Sequence, residues 1–356
     1  MTRRSVSRRA LRAARLPVFA VAAALSATAV LAAESDTGEN IISARVKEIF
    51  DFNRNGVVKI QSTDSHGHIE GTGFYADSSG TIYTGLDVIG DGSNITVIQG
   101  MRKLPARLEI ADPRTGIAII KVETTTPFLP LGDSSKTDAY TPLVTIGYPY
   151  DKPAVSSSGL VAGLEKEYLS RYFHTTHIRA KLPVQPGFGG APVLNLRGEV
   201  IGIVVAGVDD NNGCFILPIN AAEKVRTDFD RFHQLRPGWV GISVEPTSDN
   251  SLPSTARITE LQPDAPASRA GVQKGDLLLR VGDIAIHAPE DIFDASFFLT
   301  AGDETTVTVL RDGAEQKFTV RAAENPSSPT VTDESDQPEH SILTLETSST
   351  VPPAGR

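Results

Sequence analysis

The chain has 356 residues, room for about two domains of ~150 residues each. At 40% hydrophobic and 22% charged it can bury real cores, which excludes wholesale disorder. Its net charge is −9, but the first 33 residues hold six arginines and no acid, leaving −15 on the rest; so acidic a body lacks the basic footprint that nucleic-acid binding requires. A single cysteine, Cys214, excludes an intramolecular disulfide and Cys-rich zinc sites.

Residues 1–33 read as an export signal: Arg-rich to position 15, apolar and small from 16 to 33, then Glu34. A cut after Ala32 or Ala33 fits. Ser7-Arg8-Arg9-Ala10-Leu11 loosely resembles a twin-arginine signal, so a Sec or a twin-arginine route is open. If left uncleaved, the 18-residue apolar run would just span a bilayer, the one way this chain would meet a membrane. Either way the body is expected outside the cytoplasm, in a bacterial periplasm or cell envelope, stabilised by core burial rather than disulfides. An N-terminal segment, 34–55, holds a short helix over 40–50 (Ile41, Ile42, Val46, Ile49, Phe50).

From 56 to 222 the pattern changes to short β-branched runs broken by Gly, Asp, Asn and Pro, among them GVVKIQS, TIYTGLDVI, PLVTIGY and EVIGIVVAG. Close, regular spacing of many short strands predicts a mainly β unit of two small antiparallel barrels. Residues 221–235 predict a helix, with 223–235 as linker. Residues 236–323 form a second, smaller α/β unit with strands near 240–244, 254–260, 276–281, 305–310 and 316–321 and a helix near 289–299. Residues 324–356 are rich in Pro, Ser and Thr, carry five acids from 325 on, and are expected to be a disordered tail. Asn94-Ile95-Thr96 is a glycosylation sequon, relevant only in a host that glycosylates secreted chains.

Three segments of the first unit carry a resemblance: GTGFYADSSGTIYTGLDVI (71–89), DPRTGIAIIKV (112–122) and QPGFGGAPVLNLRGEVIGI (185–203), with PLGDSSK (130–136) and FILPIN (215–220) in register. Together they resemble the HtrA/DegP family of exported serine proteases, which joins a trypsin-like double barrel to C-terminal PDZ domains. The likeness runs over roughly 40–323. Matched residue by residue, the family's catalytic His falls on Asp87, its Asp on Gly116 and its Ser on Gly189, while the oxyanion-hole glycine survives as Gly187, followed by Phe188. A serine protease needs a hydroxyl, an imidazole and a carboxylate in those roles. The resemblance therefore implies a protein with no catalytic residues, a pseudoprotease rather than an enzyme. No serine lies between Arg171 and Ile242 to take over, and Ser156, Ser157 and Ser158 read as turn residues. Cys214 matches a family glycine beside the substrate strand and reads as a buried bystander. His66, His68, His174 and His177 form HxH and HxxH pairs without a third ligand at a recognisable spacing, so neither a metal nor another cofactor is expected.

The second unit resembles an HtrA-type PDZ domain in GWVGISV (238–244), in the stretch from Pro263 to Asp283, and in TVTVLRDGAEQKFTV (306–320). PDZ domains bind peptides by β-augmentation and hold the terminal carboxylate on backbone N–H groups. By that resemblance the carboxylate loop is Trp239-Val240-Gly241-Ile242. Ile242 and Val244 would pair with the ligand backbone, and Ile292, Phe293 and Ser296 would shape the side-chain pocket. The expected function is thus an exported protein that binds C-terminal peptides or unfolded chains as a chaperone, adaptor or regulator in envelope protein quality control. Its family suggests homo- or hetero-trimers, with Phe50 and Phe52 as contacts. Two other functions stand beside it: an active serine-type endopeptidase with an unrecognised nucleophile, and a structural surface interaction protein.

Overall fold

The computed structural model describes residues 41–324, except 66, 169–170, 209–211 and 250. The proposed leader and the acidic tail, with His66, lie outside the described residues.

Helix α1 covers 41–53, three residues beyond the expected end. Val46, Ile49 and Phe50 fall on one helical stripe and pack on the first core, whereas Ile41, Ile42 and Phe52 stay exposed.

The first sheet is built from β1 (Val57–Asp64), β2 (Gly67–Tyr75), β3 (Thr81–Gly85), β4 (Thr96–Gln99), β5 (Arg102–Pro105), β6 (Arg107–Asp112) and β7 (Ile117–Lys121). Its order is β5-β4-β1-β2-β3-β7-β6. Among the described residues no ladder joins the two ends, so this barrel closes without hydrogen bonds across its seam. The end strands β5 and β6 are separated in sequence only by Ala106, so the sheet must curl until one bent segment supplies both edges. Inside lie Val58, Ile60, Tyr75, Ile82, Ile89, Val97 and Ile120.

The second unit of the double barrel closes by hydrogen bonds. It contains β8 (Pro142–Gly147), β9 (Val155–Tyr168), β10 (Arg171–Lys181), β11 (Pro192–Leu194), β12 (Val200–Val208) and β13 (Gly213–Pro218), in the order β10-β13-β12-β11-β8-β9. Ser156, Ser157 and Ser158 are strand residues of β9 opposite Ile146, Thr145 and Val144, not turn residues. The β9–β10 ladder breaks between Tyr172 and His177. This irregularity turns the intervening residues away from regular pairing.

Helix α2 (Ile219–Phe232) starts two residues earlier than expected and stops at His233, which is left-handed at φ 55° with its N–H on Phe229 O (2.7 Å). It leads into the last domain: β14 (Gly238–Trp239), β15 (Ile242–Pro246), β16 (Ala256–Leu261), α3 (Pro266–Ala270), β17 (Leu277–Val281), β18 (Ile284–Ala285), α4 (Asp291–Phe298), β19 (Glu304–Arg311), β20 (Ala314–Arg321) and β21 (Ala323–Glu324). The sheet runs β15-β16-β17-β19-β20, so β15 is an edge strand, and β14 pairs with β21. Helix α3, five residues opened by Pro266, was not expected.

The two domains are tightly joined. Phe297 belongs to the core formed by Ile49, Phe74, Tyr83 and Leu217, and Phe298 packs against it. Around them, Arg231 holds Asp303 with two bonds (2.7 and 2.8 Å), and Lys224 reaches Thr300 Oγ1 (2.9 Å).

Candidate functional site

Two places deserve the chemistry expected from the sequence: the cleft between the barrels and the edge of β15.

In the cleft two of the three aligned positions, Asp87 and Gly189, lie against each other, and Gly116 is tied in through its carbonyl. A Cβ built on Gly189 would stand 3.3 Å from Asp87 Oδ2 and 3.2 Å from Val88 Cγ2. Gly116 carries the carbonyl that accepts from Leu86 N–H (2.8 Å). Its φ of 72° lies in the left-handed region that favours glycine. Asp87 is open to solvent yet backed by protein on its inner side. That desolvation pushes its carboxyl above the usual carboxylate range, against the pull of its own and Val88's N–H groups. The loop 187–190 is tied to the first barrel by a residue that sequence reasoning passed over. Thr72 donates its N–H to Gly189 O (2.9 Å) and its hydroxyl to Gly187 O (2.6 Å), and accepts from Tyr148 N–H (3.0 Å). Thr84 supports it by donating to Thr72 O (2.8 Å). The available signal was the threonine inside the GTGFY run. Phe188 does not fill the cleft; it is buried in the second barrel core, packed on Gly147.

Behind the Gly116 turn, Asp112 is fully buried and held by Arg114 Nε (2.9 Å), Arg114 Nη2 (3.1 Å) and Thr115 Oγ1 (3.1 Å). Cys214 lies on β13 opposite Ala180 and Gly207, buried, its thiol pushed up to about 12 by desolvation. His177 is buried against Phe173, with Nδ1 2.9 Å from Thr175 O. Burial lowers its pKa, opposed by the Thr175 carbonyl and by Asp294. His174 is exposed, and His68 lies on β2. Among the described residues no group of three His, Cys, Asp or Glu side chains could hold a metal.

At the second place, Trp239, Val240, Gly241, Ile242, Ile292 and Ser296 line a narrow cavity of about 40 Å³. Ile242 and Val244 with Ile292 and Phe293 line the wider continuation, about 330 Å³. All eight residues named from the sequence therefore border one groove between β15 and α4. The carboxylate loop is braced by Ala267 N–H on Val240 O and Gln262 N–H on Gly241 O, both 3.0 Å. Val240 is also buried and contributes to the domain core.

The groove helix has a second face. Asp294 accepts from Thr175 Oγ1 (2.7 Å) and Thr176 N–H (2.6 Å) and from the Thr176 hydroxyl, in the segment where the β9–β10 ladder breaks. Lys166 pairs with Asp291, and Arg114 lies over the Phe297 ring at 5.3 Å. None of these contacts is visible in sequence, because each joins residues more than a hundred positions apart.

Comparison with known proteins follows this geometry. Residues 71–203 match the model of the trypsin-like peptidase domain, and residues 238–321 that of the PDZ domain. The chain joins a trypsin-like peptidase domain to a PDZ domain. In that order it is HtrA/DegP-like. A probable periplasmic serine endoprotease DegP-like from Halomonas elongata is 29% identical over 282 residues, covering 74% of this chain and 59% of the relative. The like-named protein of Pseudomonas fluorescens is 29% identical over 256 residues, covering 68% and 54%. The chain thus spans between half and three fifths of these relatives' length. Among solved structures, the HtrA-type protease AlgW with a tripeptide superimposes with a TM-score of 0.65 at 20% identity, covering 79% of this chain and 97% of that one. A serine endoprotease from Yersinia pestis gives 0.56 at 22%, covering 79% and 98%. At such identities the structures establish the fold.

These findings correct one expectation. The relatives are named serine endoproteases, and the matched folds are those of HtrA-type proteases, so the HtrA/DegP-like chain is not set apart as a non-enzyme. Side-chain identity at Asp87, Gly116 and Gly189 does not by itself demonstrate inactivity.

Proposed function

We propose that this HtrA/DegP-like chain captures C-terminal peptides or unfolded protein chains in its PDZ groove, in the periplasm, as a chaperone, adaptor or regulator of envelope protein quality control. The observation that carries this is the edge strand β15 facing α4 across a groove with the Gly241 loop at its closed end. An edge strand offers unpaired backbone groups to an incoming strand, and the loop offers a terminus for its carboxylate. Relatives named periplasmic, and an HtrA-type structure holding a decapeptide, support the same reading.

The test is calorimetric titration of the purified protein with C-terminal peptides, each as free acid and as amide. A free-acid peptide binding at least tenfold tighter than its amide supports the reading. Equal affinities, or no binding across the library, overturn it.

A further inference from the structure

A groove of about 840 Å³ lies between the first barrel and the loop after β8, outside the PDZ domain and within the size range of ligand sites. It is bordered by Arg54 after α1, Lys59 on β1, Lys103 on β5 and Lys152 in the loop after β8. Among the described residues no carboxylate lines it. Four cations around one concavity are unexpected in a body whose net charge is −15. Lys59 is buried and its ammonium is 3.0 Å from Glu70, so it forms a fixed charge in the wall. Among the described residues, Arg54, Lys103 and Lys152 have no carboxylate within ion-pair distance. Phe50 and Ile98 add an apolar floor, and Arg54 stands 5.9 Å over the Phe50 ring. Such a surface suits a ligand with several closely spaced carboxylates interrupted by apolar residues.

The chain itself contains that ligand. Residues 331–339, Val-Thr-Asp-Glu-Ser-Asp-Gln-Pro-Glu, place Asp333, Glu334, Asp336 and Glu339 within seven positions, with no base among them and Val331 and Pro338 alongside. We propose that this acidic run seats in the Arg54–Lys103–Lys152 groove of its own chain. From Glu324, where the described fold ends, an extended chain spans about 30 Å to Asp333 and about 50 Å to Glu339.

The experiment is zero-length carbodiimide cross-linking of the full chain, read by mass spectrometry. Lys103 and Lys152 should couple to Asp333, Glu334, Asp336 or Glu339 at least fivefold more than do Lys274 and Lys317, which are exposed on the PDZ domain and nearer to Glu324 in sequence. Raising salt from 0.1 to 1 M shortens the screening length from about 10 to 3 Å and should cut the yield at least fivefold. The pair Lys103→Glu and Lys152→Glu should abolish it, and Asp333→Lys with Glu334→Lys in that background should restore coupling with inverted partners. Cross-links spread evenly over exposed lysines overturn the proposal. So do cross-links that join isotopically heavy to light chains rather than forming within one chain.

Discussion

Replacing Asp294 by Ala tests whether the PDZ helix is clamped to the second barrel or merely touches it. Asp294 accepts from the Thr175 and Thr176 hydroxyls and from the Thr176 N–H. Hydrogen bonds to a charged group contribute about 1.5–3 kcal/mol each, but they are not additive, and Asp294 is only half-buried. A loss of about 2–3 kcal/mol is therefore expected, or roughly 30- to 150-fold in the equilibrium between closed and open. The readout is amide exchange at Thr176. Its N–H lies where the β9–β10 ladder is interrupted and has Asp294 as its acceptor. Protection there should fall by that factor in the Ala variant, while Ile178, paired within both adjoining ladders, keeps its own. Unchanged protection at Thr176, with the variant fully folded, would refute the clamp.

Gly241→Ala should abolish binding of free-acid peptides in the same titration, because φ is 79° and the new Cβ would lie 2.2 Å from the Ala265 Cβ. Binding within threefold of the parent would show that the loop does not serve the groove. Cys214 should resist iodoacetamide at pH 8 in the native state, since a thiol at about 12 is only ~10⁻⁴ thiolate there; rapid native labelling would contradict its burial. His177 is held neutral by burial, so the unfolded chain binds its proton more readily. Stability from this residue is full above about pH 6.5 and falls as pH drops below it. Exchanging His177 for Phe should flatten that acid limb in urea melts; an unchanged slope between pH 5 and 6.5 would assign it elsewhere. Partial burial raises the Asp77 carboxyl, but bonds from Ser79, Thr81 and Arg226 outweigh it and leave it well below the usual range. Asp77→Asn should therefore cost about 1–2 kcal/mol at pH 7, with the difference from the parent shrinking as pH falls below about 3.8.

Much of the fold was legible because it depends on local pattern. Short β-branched runs punctuated by turn residues define the strands, and five segments in register, four of them with glycines, carry the likeness to the double barrel. The residues of the β15–α4 groove were named only through the likeness to PDZ domains, since neither periodicity nor spacing singles them out. Three features were not legible. The curling of the first sheet follows from Ala106 standing between its two end strands, which only the strand order reveals. Helix α3 is a single turn behind Pro266, too short for any periodicity. The contacts of Asp294, Phe297 and Thr72 join distant segments, and a side chain's partner across the fold leaves no trace in its neighbours. The cleft illustrates a further limit: aligned residues name a position, whereas the raised carboxyl of Asp87 comes from the protein packed behind it.

Phe297 and Phe298 have a consequence for anyone dissecting this protein. The linker after α2 looks like a place to cut, and the two halves match separate family models. A PDZ fragment released there would nevertheless bring Phe297 into water, together with the carboxylates of Asp291 and Asp294 stripped of Lys166 and the threonines. The remaining barrel would keep a cavity where an aromatic ring had been, a loss on the order of 3–5 kcal/mol for a deleted phenylalanine. Here the seam in the sequence is not a seam in the energy, and affinities measured on the isolated half would describe a different object.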